Sequence, residues 1–229
     1  MATNTRTAAT ERPASTGERL VDAALEAFST TGFDGTSARQ IERLAGVERG
    51  LVGYHFGSKQ VLWNRAVDAL FDRYTDELES LRTALRDVSR RERASAMLMA
   101  YARFNAQNPE FFRILVIEGH VKSERSERLA RHLRRAMAVF SDITEMSDAI
   151  PIETAIRWFQ VIGAAGALFS LSVHAEQTFG TTLHDPEFID RFAASLAVIA
   201  MEETAHPTDT SNTGLGDVHF LGGTLDSKA

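Results

Sequence analysis

Arg39, Arg49, Leu51 and Tyr54 fall at outward positions of two short helical segments joined by a glycine-containing turn, Ala45-Gly46-Val47. Cations, an aliphatic tip and a phenol brought together over about 20 residues suit docking on duplex DNA. A major groove about 12 Å wide admits one helix, while the preceding helix braces across the backbone. The spacing alone fits a plain αα-hairpin equally well. Reaction chemistry has no comparable pattern, since HExxH, GxSxG, P-loop and GxGxxG sequences are all absent. The pairs Glu118/His120 and His174/Glu176 are two residues apart, which puts their side chains on different helix faces. With no cysteine, a disulfide framework and a thiolate metal site are excluded. No catalytic residue, metal or cofactor is expected.

The elements that must position these residues are helical. Ser15-x-x-Glu18 is a capping-box pattern opening an amphipathic run, with Leu20, Ala24, Ala27 and Phe28 on one side and a stop at Gly32. A second helix starts at Thr36/Ser37, again with capping-box spacing to Gln40, and turns Ile41, Leu44 and Ala45 inward. The third is expected from about Glu48 to Tyr54, before the break at Gly57-Ser58. Ile41, Leu44, Val47 and Val52, with Phe28 and Phe33, should lock the pair against the first helix. Further helices are expected over 59–84, 92–107, 109–119, 125–147, 152–178 and 186–204, with Pro109, Pro151 and Pro186 near helix starts. No period-2 strand run is present, so the fold class is all-α.

Three linked motifs sharpen this reading. Gly32-Phe33-x-x-Thr36-Ser37-x-x-x-Ile41, Leu44-Ala45-Gly46-Val47-x-Arg49-Gly50 and Tyr54-His55-Phe56-x-Ser58-Lys59-x-x-Leu62 together resemble the TetR family of bacterial regulators. The match runs from Glu18 through Leu62. It implies a three-helix helix-turn-helix domain at 15–62 and a larger helical ligand-binding and dimerisation domain at 63–205. A flexible arm, 1–14, and a flexible tail, 206–229, flank them. By the same resemblance Thr36 and Ser37 offer hydroxyls and N–H groups to a phosphate, and Tyr54, His55 and Lys59 grip the backbone across the groove. Arg49 reads guanine, Gly50 allows close approach, Leu51 touches a thymine methyl, and Arg39 is either a phosphate contact or a solvated cation. Two positions depart from the family pattern. Gly53 stands where a phosphate-contacting tyrosine is usual, at a helical cost of about 1 kcal/mol relative to alanine. Glu48 stands where Ser or Thr is frequent; it either accepts from a cytosine N4 donor or suits the positive end of the helix dipole, the latter being preferred.

Net charge is −6 overall, yet residues 1–65 hold eight Arg/Lys against seven acids, leaving 17 bases against 24 acids in the remainder. That asymmetry permits DNA binding by the N-terminal part. The most apolar stretch, Trp158–Val173, spans 16 residues, short of the roughly 20 needed to cross a membrane. The N-terminus also lacks a signal-peptide core. A cytoplasmic soluble protein is expected.

The family resemblance further implies a homodimer reading a palindromic operator, usually as a repressor released by a small-molecule effector. Gly163, Gly166, Ala167 and Ser170 on one helix, with Phe188, Phe192, Leu196 and Ile199 on the last, are the expected dimer face. Met97, Tyr101, Phe104, Phe111, Leu115, His120, Trp158 and Phe169 are the candidates for lining an apolar ligand cavity, with His120 as polar anchor. The alternative is a helical partner-binding module whose head, with Gly53 and Glu48, no longer binds DNA.

Overall fold

The computed structural model of the protein describes residues 14–144, 149–150, 152–180, 182–201 and 218–219. The expected flexible arm and most of the expected tail lie outside these residues. The chain divides into two units, Met1–Ala66 and Val67–Ala229.

The first unit contains α1 (Thr16–Gly35), α2 (Ala38–Leu44), α3 (Leu51–Phe56) and the first turns of α4 (Lys59–Ala84). At the start of α1 the Glu18 N–H donates to Ser15 Oγ at 3.2 Å, and the Ser15 N–H donates to the Glu18 carboxylate at 2.7 Å. This reciprocal cap satisfies two otherwise orphaned donors. The regular helix breaks at Gly32, as expected. It kinks there, through a left-handed residue at φ 71°, and runs one further turn to Gly35. Leu20, Ala24, Phe28, Ile41, Val52, Leu62 and Trp63 form the buried centre. Each large side chain there contributes about 1.5–3 kcal/mol through removal from water.

One expected core residue is on the wrong side. Leu44 is 46% exposed, whereas Glu42 is buried beside Ile41 and Ala45. At 100° per residue the inward arc of α2 spans Ile41, Ala45 and Glu42, and Leu44 lies outside it.

The second unit continues α4 and adds α5 (Arg90–Gln107), α6 (Glu110–Gly119), α7 (Glu124–Thr144), α8 (Ile152–Ser170), α9 (Ser172–Phe179) and α10 (Pro186–Met201). The helix expected over 152–178 is interrupted at Leu171, which serves as the N-cap of α9. Helix α5 packs against α7, α8 and α10. A two-residue antiparallel bridge joins β1 (Ala149–Ile150) to β2 (Val218–His219), in the register Ala149 opposite His219. No helix among the described residues is long and apolar enough to cross a membrane.

Candidate nucleic-acid interface

The turn between α2 and α3 is held from both sides. From α1, the Arg19 guanidinium donates to the Ala45 carbonyl at 2.5 Å and the Gly46 carbonyl at 2.9 Å, closing the C-terminal end of α2. From α2, one oxygen of the Glu42 carboxylate accepts from the N–H groups of Gly50 and Val52, each at 3.0 Å. Gly50 has φ +90°, a left-handed conformation that disfavours any other L-residue. Its role is therefore visible within the protein itself, as the backbone reversal that starts α3.

Helix α3 begins at Leu51 rather than near Glu48 and ends at Phe56. That shift leaves Glu48 and Arg49 on the exposed turn and puts Tyr54 and His55 on the last turn of the helix. Tyr54 is 82% exposed, with the His55 ring edge-on at 5.1 Å. Leu51 is half-buried and Val52 fully buried, which fixes the rotation of the helix. Gly53 is exposed, and a Cβ added there would meet no protein atom within 4 Å.

Ser37 caps α2 by accepting from the Gln40 N–H at 3.2 Å, and its own hydroxyl hydrogen stays on the surface. Only this half of the expected capping box forms. Ser37, Arg39, Gln40, Arg43, Val47 and Arg49 line one open concavity, with the nearly buried Glu42 at its floor. No carboxylate among the described residues pairs with Arg39, Arg43 or Arg49. Gln40 and Arg43 were not among the residues anticipated here. The signal was present for Arg43, four residues after Arg39 and so on the same helix face.

Two of the expected phosphate contacts also make hydrogen bonds within the head. The Thr36 side chain is buried, and its hydroxyl bonds Gly32 O at 2.7 Å and Thr31 Oγ1 at 2.8 Å. Its position one residue before the α2 cap turns it inward, so it ties α2 to α1. Lys59 is likewise committed: Nζ donates to the carbonyls of Phe33 and Thr36, both at 2.7 Å, closing the end of α1.

In the second unit, two residues expected around a cavity, Phe104 and Phe111, pack on each other. Phe71, Tyr74, Phe104 and Phe111 form an aromatic cluster with ring centroids 4.5–5.2 Å apart. Met97, Tyr101 and Phe169 are also buried, Leu115 is half-buried, and the Trp158 side chain is outside the described set. Burial pushes the Tyr74 and Tyr101 phenols above their ordinary range, so both stay neutral. His120 caps α6 and is exposed, so it is no interior anchor.

Of the expected dimer face, Gly166 and Leu196 turn inward, and the other described members are half-buried. A Cβ on Gly166 would lie 2.1 Å from the Phe112 ring, so this glycine serves close packing of α8 on α6. The Ser170 hydroxyl donates to Pro109 O at 3.3 Å. Leu196 is buried, and Phe188 and Phe192 pack against the Phe169–Leu183–Ala106 cluster. Ala167 is half-buried; Gly163 has open space around it; the Ile199 side chain is not described. On α8 and α10 the large apolar residues exposed among the described ones are Ile156, Phe159 and Val198, with Phe159 72% exposed.

A tight α2–turn–α3 unit braced by α1, with arginines on its outer side that form no ion pair among the described residues, defines a helix-turn-helix head. The sequence profile described as "Bacterial regulatory proteins, tetR family" matches residues 20–66. The HTH-type transcriptional repressor NicS of Pseudomonas putida is 28% identical over 138 residues, covering 58% of this chain and 64% of NicS. The uncharacterized HTH-type transcriptional regulator TtgW of Pseudomonas putida is 33% identical over 104 residues, covering 45% of this chain and 75% of TtgW. The crystal structure of FadR from Bacillus subtilis in complex with stearoyl-CoA shares the fold, with a TM-score of 0.57 at 12% identity over 80% of this chain and 97% of FadR. The chain belongs to the TetR family of bacterial transcriptional regulators. Its relatives are regulators, not enzymes.

Proposed function

We propose that the protein is a repressor that binds a palindromic operator as a homodimer in the cytoplasm and releases it when a small apolar or aromatic molecule enters the second unit. The observation that carries the DNA reading is the grouping of Arg39, Arg43 and Arg49 around one concavity, none of them in an ion pair among the described residues, together with the exposed Tyr54 on α3. Such a face gains affinity by displacing counterions from the phosphates. Arg49, on the exposed turn before α3, is the base reader, and Ser37, Arg39, Tyr54 and His55 hold the backbone.

The dimer reading is supported by the exposed side chains of Ile156, Phe159 and Val198, because a regulator reading two half-sites needs a two-fold contact. The ligand reading is supported by the apolar, aromatic interior of the second unit. Because that interior is closely packed, the ligand acts by selecting a form in which Phe104 and Phe111 part. The test is a fluorescence titration of labelled duplexes from the region upstream of the gene, repeated at several salt concentrations. Tight, salt-dependent binding to one palindrome, weakened by an apolar effector, is the expected result. Uniformly weak binding to every duplex would sink the proposal and favour a helical partner-binding module.

A further inference from the structure

We infer that Glu42 is a positioning residue for DNA recognition: its buried carboxylate, reaching across from α2, holds α3 in the pose that docks on DNA. This rests on the DNA-binding reading above. Helix α3 is poorly equipped to hold itself. It has six residues, too few for independent stability, and carries Gly53 at its middle. Its N-cap is Gly50, which has no side chain to accept from the first free N–H groups.

Glu42 supplies that acceptor from a different helix. One carboxylate oxygen lies 3.0 Å from both the Gly50 and the Val52 nitrogens, and the Glu42 main-chain carbonyl accepts from Val47 N–H, also at 3.0 Å. One residue of α2 therefore ties down the turn and the first turn of α3 together. Val52 is buried, so water cannot replace the lost acceptor at its N–H. The carboxylate also sits at the positive end of α3. Glu42 is only 4% exposed, so it acts through α3.

A second consequence separates this role from simple electrostatics. A negative charge at the floor of a concavity lined by Arg39, Arg43 and Arg49 opposes attraction of phosphates. If charge alone mattered, Glu42→Ala and Glu42→Gln would both bind DNA more tightly. If positioning matters, Glu42→Ala loses affinity, and Glu42→Gln, which keeps the acceptor oxygen, retains it.

The experiment compares the full-length protein with both variants on a duplex that the wild type selects from a randomised pool. In parallel, amide exchange is followed without DNA at Val52 and at core amides of α1. For Glu42→Ala we expect about tenfold or greater loss of affinity, tenfold being 1.4 kcal/mol. Exchange at Val52 should rise comparably while the α1 amides stay protected. Glu42→Gln should bind within about threefold of wild type, a difference below 1 kcal/mol. Wild-type or tighter binding by Glu42→Ala, with Val52 still protected, overturns the inference. If Glu42→Ala unfolds the whole head, Glu42→Gln decides: a folded head with protected Val52 and near-wild-type affinity supports the role, and a folded head with affinity lost overturns it. Failure of the wild type to select any duplex defeats the DNA-binding reading instead, and Val52 exchange then still reports whether the clamp holds α3.

Discussion

The Lys59 ammonium donates to the Phe33 carbonyl at 2.7 Å while lying 4.1 Å from the centroid of the Phe33 ring. One cation thus closes the end of α1 and packs on an aromatic face. Hydrogen bonds to charged groups contribute roughly 1.5–3 kcal/mol, and the ring contact adds to that. Lys59→Met should therefore lower the stability of the head by about 1.5–3 kcal/mol. The salt dependence of DNA binding should keep its slope if the ammonium serves the head alone. Thermal unfolding and a salt titration check the two halves. A shallower slope with unchanged stability would return Lys59 to the DNA surface.

Arg49→Ala should cost about 1–3 kcal/mol of affinity and relax base preference at one operator position. Arg39→Ala and Arg43→Ala should weaken all duplexes alike and reduce the salt slope by about one each. Competition binding against single-base operator variants distinguishes the two behaviours. Equal loss across all bases for Arg49→Ala would make it a phosphate contact.

Gly53 is the helical residue most open to improvement, since an added Cβ meets nothing within 4 Å. Gly53→Ala should stabilise α3 by up to about 1 kcal/mol, the difference in helix propensity. Denaturant unfolding of the full chain measures it. A gain in stability accompanied by weaker DNA binding would mean that the duplex backbone approaches this residue too closely for a methyl group.

Asp68 on α4 is bonded bidentately by Arg128 of α7, at 2.8 and 2.5 Å, and by His132 Nε2 at 2.8 Å. Burial opposes its ionisation, but the Arg128 and His132 hydrogen bonds outweigh that and hold its carboxyl below the ordinary value of 3.8. A depressed pKa gives stability that is present above the unfolded value and lost as pH falls through the folded one. The second unit should therefore lose stability below about pH 4. Asp68→Asn should remove that part of the pH dependence and cost roughly 1.5–3 kcal/mol at neutral pH. Unfolding followed from pH 7 to 3 tests it; an unchanged acid limb would remove Asp68 from the account.

Phe159 and Phe192 give opposite expectations despite their similar appearance in the sequence. Phe159→Glu, at an exposed position, should leave the subunit folded and shift it to monomer in sedimentation velocity. Phe192→Glu puts a charge against the Phe169 ring, whose centroid is 5.7 Å away, and should destabilise the subunit itself. A Phe159→Glu dimer of wild-type affinity would move the interface elsewhere.

Much of the head was legible because its determinants are local. Ser15 and Glu18 cap a helix three residues apart, Gly46 marks the turn after α2, and the apolar spacing of Leu20, Ala24 and Phe28 marks one face. The helices of the second unit were legible for the same reason, and α4 and α6 fall within a residue of their expected bounds. What a given side chain touches was not. Thr36, Lys59, Gly166 and Leu196 each have a chemistry that suits an external partner, yet each is used within its own unit.

Sequence alone determined the helical class, because capping, periodicity and turn glycines act over three to eight residues, and its linked motifs from Gly32 to Leu62 carried the family resemblance. Only the tertiary structure decided that Glu42 is buried and clamps α3, that Leu44 is outside, and that α10 turns Leu196 inward. The physical reason is rotational. A helix presents several semi-apolar faces, and a shift of one residue turns it by 100°. Which face is buried is settled by partners such as Phe112 and Ile41, whose approach depends on elements far away in the chain.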